Sequence, residues 1–275
     1  MKRHILAVAA ALTALLQPLA LADDSKPLRF GSVAMHVPAI MNERLQPLTA
    51  YLSRELGRPV QLHLSPNMKT AIDDVAAGRV DLSYLTPVAY LKAQRRGNAR
   101  LVAKTLTRGQ GSFRLMIVVR DDSPIRTPAD LAGKNFAFGD ASAVLQRAVV
   151  VNTGLRLEQL ASYKFIGHYD NIARGVHSRD FDAGILKDTT AYEWEKKGLR
   201  VIYASPPLPP YAIVSAGHVD DALMMRLRAA FLRLDPRRPE DQRVITALDP
   251  NYSGFTAVSD VEYDVVRRLI KPFDP

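Results

Sequence analysis

The chain has 275 residues, of which 47% are hydrophobic and 24% are charged, and its formal net charge at pH 7 is +9. A composition of this kind is typical of globular proteins and excludes wholesale disorder. Because the chain contains no cysteine, we exclude disulfides, thiolate metal sites and a cysteine nucleophile.

The first 22 residues have the order of a secretory signal peptide. Lys2 and Arg3 form a basic start, residues 5–16 are apolar, and Ala20-Leu21-Ala22 precedes an acidic pair. A basic segment, an apolar segment and a small-x-small site are typical of a cleaved leader. A membrane anchor is less compatible with this pattern, since crossing a bilayer core takes about 20 apolar residues. We therefore expect cleavage after Ala22, export to the periplasm and no membrane span in the mature chain.

Strands and helices alternate in the first third of the mature chain. We predict strands at residues 28–34, 60–64 and 80–85, and helices at residues 42–56, 68–77 and 87–95. In the first of these helices, Leu45, Leu48 and Leu52 recur at helical spacing. Alternation of this kind predicts parallel strands joined by right-handed crossovers.

The pattern continues after residue 112, and a proline-rich segment interrupts it. We predict strands at residues 113–120, 135–138, 164–166, 182–186, 200–204 and 211–215, and helices at residues 142–152, 171–176, 191–197, 220–234 and 261–270. Residues 206–210 read Pro-Pro-Leu-Pro-Pro, the strongest linker signal in the chain. We therefore predict two α/β lobes: residues 26–116 with the returning segment 212–275, and residues 117–211. Two lobes joined by two crossings enclose a hinged cleft that closes around small ligands.

Three segments carry a resemblance to a known family. They are residues 45–60, residues 78–93 with the run Tyr84-Leu85-Thr86-Pro87, and residues 122–140 with the run Phe136-Ala137-Phe138-Gly139-Asp140. In this order they resemble the periplasmic substrate-binding proteins of phosphate, phosphite and phosphonate ABC transporters. The resemblance implies the two-lobed periplasmic-binding-protein fold of type II and a solute-binding function.

One stretch departs from the pattern of that family. Where the family has a Ser-Thr-Ser-Gly turn that holds the phosphonyl group, this chain reads Asp140-Ala141-Ser142-Ala143, so only one hydroxyl remains. Met68 stands where the family commonly carries a tyrosine. Together with His36, Met68 would make the cleft more apolar than a phosphonate site. This difference favours an organic or larger anion.

The candidate ligand-binding residues follow predicted strands, at the edge where open α/β sheets bind ligands. They are His36, Met68, Thr86 and Tyr90 in the first lobe, and Ser142, Arg147, His168 and Asp188 in the second. We expect Thr86 to donate to the ligand at the start of a helix. Tyr90 and His168 match ligand contacts of the family, although either side chain could instead be structural.

Alternatives remain for the other three residues of the second lobe. Ser142 either donates to an anion at a helix N-terminus or only caps its own helix. Arg147 either faces the cleft, where it would replace the lost hydroxyls, or faces solvent. Asp188 either holds an amine of the ligand, as the resemblance implies, or caps the helix that follows it.

No catalytic motif appears in the chain. There is no nucleophile elbow, zinc-protease motif or phosphate loop, and the histidines are not spaced like metal ligands. We therefore expect no enzyme, no metal and no cofactor. We expect no nucleic-acid partner, because lysine and arginine are scattered along the chain.

The function predicted from the sequence is capture of a small anion, such as phosphonate, phosphite, phosphate or a related ligand, for an ABC permease of the inner membrane. The alternative is a sensory protein of the same fold that signals to a membrane histidine kinase. Both functions use closure of the lobes, so the sequence does not separate them.

Overall fold

The computed structural model describes residues 26–33 and 38–273. The predicted signal peptide lies outside the described residues, and so does His36. The strands are β1 (Leu28–Val33), β2 (Val60–Ser65), β3 (Leu82–Leu85), β4 (Arg100–Thr107), β5 (Leu115–Arg120), β6 (Asn135–Phe138), β7 (Ser162–Phe165), β8 (Ala183–Lys187), β9 (Leu199–Ala204), β10 (Ala212–Ser215) and β11 (Tyr252–Thr256).

The α-helices are α1 (Pro38–Leu56), α2 (Met68–Ala76), α3 (Pro87–Gly97), α4 (Val144–Val151), α5 (Tyr169–His177), α6 (Asp188–Glu195), α7 (Asp221–Arg233), α8 (Pro239–Thr246) and α9 (Asp264–Ile270). Short polar residues fix several helix starts. The Asn67 side chain accepts from the Thr70 N–H at 2.9 Å before α2, and the Asp220 side chain accepts from the Leu223 N–H at 2.7 Å before α7. Each of these bonds satisfies a backbone donor that the helix itself leaves without a partner.

The strands form two mixed sheets. The first sheet has the order β11-β4-β10-β3-β1-β2 and the second has the order β7-β6-β8-β5-β9. In the first, β1 runs parallel to β2 and β3, whereas β10 is antiparallel to β3 and β4. In the second, β6 runs parallel to β7 and β8, whereas β5 is antiparallel to β8 and β9. The α/β class and the two-lobed architecture predicted from the sequence are confirmed.

Two neighbouring segments carry the chain between the sheets. Phe113 and Leu208 exchange a pair of backbone hydrogen bonds at 3.0 and 2.8 Å, and the Ser205 N–H donates to the Leu115 carbonyl at 2.9 Å. Residues 113–115 and 205–208 therefore form an antiparallel ribbon, which we call the hinge ribbon. Strand β5 lies wholly in the second sheet and begins at Leu115, two residues before the start predicted for the second lobe.

The sequence prediction missed β4, β11 and α8. In β4, Leu101, Val102 and Ala103 are all buried, because β10 and β11 flank the strand and both faces of the sheet are covered. A strand buried on both faces loses the two-residue alternation by which strands are predicted. The helices α1, α5 and α6 begin two to four residues earlier than predicted.

The apolar core surrounds both faces of the first sheet. One cluster joins β1 and β10 to α1 and α7 and includes Phe30, Leu52 and Phe231. The cluster on the opposite face contains residues of α2 and α3 and continues into the second lobe through Ile117 and Phe138. Helix α9 packs against both α3 and α4. The returning C-terminal segment therefore contacts both lobes.

Candidate ligand-binding site

The predicted site residues follow strands that run parallel within their sheets. Met68 and Thr86 come after β2 and β3, and Ser142, His168 and Asp188 come after β6, β7 and β8. The carboxyl ends of parallel strands meet at one edge of a sheet, which is where α/β proteins bind ligands. The topology therefore gathers the residues of each lobe at one edge.

Thr86 and Met68 each begin a helix of the first lobe. Thr86 is the N-cap of α3, and its Oγ1 accepts from the Ala89 N–H at 3.2 Å. A hydroxyl that accepts in this way keeps its own hydrogen for another partner. Met68 is the first residue of α2 and packs, partly buried, against the core. Contact of these two side chains with a ligand stays a prediction.

Tyr90 has a structural partner. Its side chain is 1% exposed, and its hydroxyl donates to Asp260 Oδ1 at 2.7 Å. The ring also packs edge-on against Tyr263. Burial and the Asp260 carboxylate raise the pKa of Tyr90 well above its usual range. Contact with a ligand remains a prediction for a hydroxyl that Asp260 already engages.

The turn before α4 is closed around a carboxylate. Asp140 Oδ1 accepts from the Ser142 hydroxyl at 2.6 Å and from the Ser142 N–H at 2.7 Å. These bonds hold the pKa of Asp140 below its usual range. Helix α4 begins at Val144 and its N-cap is Ala143, so the interpretation of Ser142 as the cap of its own helix is wrong. The serine closes the preceding turn instead.

Arg147 is partly buried rather than solvent-facing, and its contact with a ligand stays a prediction. Its guanidinium carbon is 5.6 Å from the centre of the Phe165 ring and 5.7 Å from that of Phe273. Its Nη2 donates to the Ala141 carbonyl at 3.0 Å. The contact with Phe273 takes this cation toward the C-terminal segment, which the sequence prediction could not foresee.

His168 and Asp188 lie at helix starts of the second lobe. His168 is exposed and is the N-cap of α5 without a side-chain cap bond. The N-cap of α6 is Lys187, so the interpretation of Asp188 as the cap is off by one residue. The Asp188 carboxylate accepts from the N–H groups of Arg114 and Thr189, both at 2.8 Å. It therefore ties β8 to the start of β5.

Two adjoining cavities lie between the end of β4 and α6. The larger, which we call the hinge pocket, has a volume of about 540 Å³ and is lined by Thr107, Arg108, Gln110, Ser112, Phe113, Arg114, Lys187, Asp188, Thr189, Tyr192, Glu193 and Lys196. The smaller, the outer pocket, has a volume of about 200 Å³ and adds Asp170, Thr190, Asp249, Asn251 and Tyr252. Arg108 and Lys187 line both, so the two form one space between the first lobe and the second.

Tyr252 lines the outer pocket and belongs to a cluster of three tyrosines with Tyr84 and Tyr211. The rings of Tyr84 and Tyr211 stack at 4.9 Å, and the hydroxyls of Tyr84 and Tyr252 share a hydrogen bond. Burial raises the pKa of Tyr252 to about 12. Burial, then the carboxylates of Asp249 and Asp140, raise the pKa of Tyr211. Of these two carboxylates, Asp249 belongs to the first lobe and Asp140 to the second.

Arg108 and Lys187, which line both cavities, and Tyr211, which stacks on Tyr84, were not among the residues predicted from the sequence. Lys187 precedes Asp188 directly, and Tyr211 directly follows the proline-rich linker, so position alone could have suggested both. Arg108 follows β4, a strand that was not predicted, and it has a positive φ of 51° in the turn that leads to the hinge ribbon. No periodic pattern marks such a residue.

The described residues contain no cluster of three or more His, Asp or Glu side chains placed to hold a metal ion. No helix in that same part of the chain is both long and apolar enough to cross a membrane.

The chain is similar to two curated bacterial proteins. A curated relative from Escherichia coli (strain K12), the "Phosphonates-binding periplasmic protein", is 23% identical, with 94% of this chain and 80% of the relative covered. The "Phosphate-import protein PhnD" of Mycolicibacterium smegmatis is 24% identical, with 68% of this chain and 66% of the relative covered.

Solved structures share the fold. XAC2383 from Xanthomonas citri bound to ATP matches with a TM-score of 0.73 at 23% identity, covering 89% of this chain and 96% of that one. PhnD1 from Prochlorococcus marinus in complex with methylphosphonate matches with a TM-score of 0.71 at 17% identity, covering 90% and 98%.

A family model described as "ABC transporter, phosphonate, periplasmic substrate-binding protein" matches residues 30–263. This match spans both sheets and both segments of the hinge ribbon. The chain therefore belongs to the family of periplasmic substrate-binding proteins of phosphonate ABC transporters.

Proposed function

We propose that this protein captures a phosphorus oxyanion in the periplasm and delivers it to an ABC permease of the inner membrane. The observation that carries the proposal is the family match over residues 30–263. Relatives and neighbours named for phosphonates, phosphate, methylphosphonate and ATP share a phosphorus oxyanion as their common chemistry. We therefore extend that chemical class, and no single compound, to this chain.

The arrangement of the cleft supports capture by closure. The cavities lie between the end of β4 and α6, which belong to different lobes, and the hinge ribbon runs beside them. A ligand that contacts both lobes binds the closed form better than the open form, so it shifts the equilibrium between them. Closure also removes water, which strengthens each contact to a charged group.

Thr86, His168 and Asp188 remain the proposed ligand contacts among the residues predicted from the sequence. Thr86 keeps a hydroxyl hydrogen, and His168 is exposed with no cap bond. Asp188 lines the hinge pocket. The relatives and the family model are named for transport or binding, and nothing in the structure favours the sensory alternative, which we do not propose.

A thermal-shift screen of the purified protein tests the proposal. The compounds are phosphate, phosphite, methylphosphonate and 2-aminoethylphosphonate, with sulfate and carboxylic acids for comparison. A ligand at one hundred times its Kd stabilises the native state by about 2.7 kcal/mol, which raises the Tm of a domain this size by several degrees. We expect at least one phosphorus compound to give such a shift.

Two outcomes of this screen would count against a phosphorus oxyanion as the ligand. A shift caused only by carboxylic acids would move the proposal to another ligand class. The absence of a shift with every phosphorus compound would contradict the proposed function.

A further inference from the structure

The turn before α4 is engaged internally in this chain. The N–H and the hydroxyl of Ser142 both donate to Asp140, and the Ala143 N–H donates to the Asp140 carbonyl at 2.9 Å. An oxyanion at this turn would have to displace the Asp140 carboxylate and would meet its negative charge. The turn is therefore a poor place for a strongly charged head group.

The lining of the hinge pocket has more positive than negative side chains. Its lining contains four cationic side chains, Arg108, Arg114, Lys187 and Lys196, against the carboxylates of Asp188 and Glu193. Among the described residues, Arg108, Lys187 and Lys196 form no ion pair with a carboxylate. The Lys187 ammonium lies 5.5 Å from the centre of the Phe113 ring, which attracts the cation but carries no negative charge to neutralise it.

The two carboxylates of this pocket already have donors. Asp188 accepts from two backbone N–H groups, and Glu193 accepts from Lys197 at 3.1 Å. The four cationic side chains still outnumber these two carboxylates, so the lining has a net positive charge. The outer pocket has the reverse balance, since Asp170, Asp249 and Glu193 line it with Arg108 and Lys187. Charge thus changes sign along one continuous space.

We propose that the hinge pocket is the oxyanion subsite of this protein, with Arg108 and Lys187 as its principal donors. The ligand is an organic oxyanion whose body carries hydroxyl or amine groups that reach the carboxylates of the outer pocket. This inference rests on the proposed function and deepens it. Arg108 supplies the planar fork that matches two oxygens of one head group, and Lys187 supplies a point charge from the other lobe. Binding then joins the lobes beside the hinge ribbon.

Titration calorimetry with methylphosphonate and with 2-aminoethylphosphonate tests the subsite. The variants are Arg108→Gln and Lys187→Gln, and the matched control is Arg174→Gln. Arg174 is exposed on α5 and lines neither pocket. Loss of a charge-assisted contact should raise the Kd by about tenfold or more in each pocket variant. The control should bind as the wild type does, and thermal melting shows that each variant is folded.

Wild-type affinity in both pocket variants would overturn the subsite. A third variant, Ser142→Ala, tests the turn before α4. If only this variant loses affinity, the anion binds at that turn and the proposed function stands. If neither these two probes nor the other phosphorus compounds bind the wild type, the proposed function fails and the subsite fails with it.

Discussion

Single residues of the predicted site have partners that their sequence context does not reveal. Ser142 and Asp140 bond to each other, Tyr90 bonds to Asp260, and Arg147 lies over two phenylalanine rings. Tyr90 is buried and Arg147 is partly buried, and polar groups that folding removes from water are found with a partner. The partner can be a neighbour in sequence, as for Ser142, or 170 residues away, as for Tyr90.

Replacement of Tyr90 by phenylalanine measures the contact with Asp260. The Asp260 carboxylate loses one donor but keeps Arg267 at 2.7 Å, so we expect the free energy of unfolding to fall by about 1 kcal/mol. Tyr163→Phe is the control, because Tyr163 is 41% exposed. Urea denaturation gives both values. An unchanged stability in Tyr90→Phe would show that this hydrogen bond contributes nothing net.

Asp74 makes stability depend on pH. It is 4% exposed and accepts from Ser65 at 2.7 Å and from Arg79 at 2.7 Å. Burial alone would raise the pKa of Asp74, but the hydrogen bonds from Ser65, Arg79 and His63 outweigh it and lower the pKa below 3.8. A carboxyl with a lowered pKa in the folded state stabilises the protein above its unfolded pKa. That stability is lost as the pH falls through the folded value.

The Asp74→Asn variant tests the direction in which stability changes with pH. We expect wild type to be more stable by about 2 kcal/mol near neutral pH, and the difference in Tm should shrink as the pH falls below about 4. Glu158→Gln, at an exposed position, should show no comparable trend. A gap that stayed constant down to about pH 2 would contradict the role given to the carboxylate.

Among the elements, the contact of α2 with α3 depends on one glycine. A Cβ on Gly97 would lie 2.1 Å from the Ala76 carbonyl oxygen, which is backbone and cannot rotate away. Gly217 approaches the same corner, since its own Cβ would lie 2.4 Å from the Gly97 carbonyl oxygen. Only a residue without a side chain allows three backbone segments to meet here.

Replacement of Gly97 by alanine should therefore separate α2 from α3. We expect a loss of about 2 kcal/mol or more, because the clash is with backbone atoms. Gly57→Ala is the comparison, since Gly57 has a φ of +64° but nothing within 4 Å of the added Cβ. Its expected cost is about 1 kcal/mol, from backbone conformation alone. If chemical denaturation gave the same loss of stability for Gly97→Ala and Gly57→Ala, α2 and α3 would have moved apart at little cost.

At the scale of the whole molecule, the two sheets are joined by the hinge ribbon and by helix α9. The ribbon is held by backbone hydrogen bonds and by side-chain bonds, among them those from the Arg114 N–H to the Asp188 carboxylate and from the Leu115 N–H to the Ser205 hydroxyl. Helix α9 contacts α3 and α4, and the Asn152 side chain donates to the Leu269 carbonyl at 3.4 Å. Opening of the cleft therefore has to be compatible with a helix that contacts both lobes.

Ligand binding should bring the lobes together. Because the chain has no cysteine, the variant Lys69→Cys/Lys164→Cys accepts a donor and an acceptor dye without other labelling. Lys69 lies in the first turn of α2 in the first lobe and Lys164 lies on β7 in the second, both exposed. We expect transfer efficiency to rise with a phosphorus oxyanion that binds in calorimetry. A bound ligand with unchanged efficiency would contradict closure.

Local patterns determined the class of the fold and the general place of the site. Alternating strands and helices require a layered α/β arrangement, and short polar residues after strands mark the sheet edge where ligands bind. For this reason the two lobes, the hinge beside Pro206 and most helices could be predicted from residues near one another in the chain. The resemblance to the family also came from short segments in a fixed order.

Only the tertiary structure decided which groups meet. Arg108 and Lys187 are far apart in the chain and line one pocket because β4 and β8, in different sheets, end beside the same space. The partner of Tyr90 and one of the two ring contacts of Arg147, the one with Phe273, likewise come from the returning C-terminal segment. Local periodicity records which side of an element is buried, but charge compensation depends on distance in space, which folding alone sets.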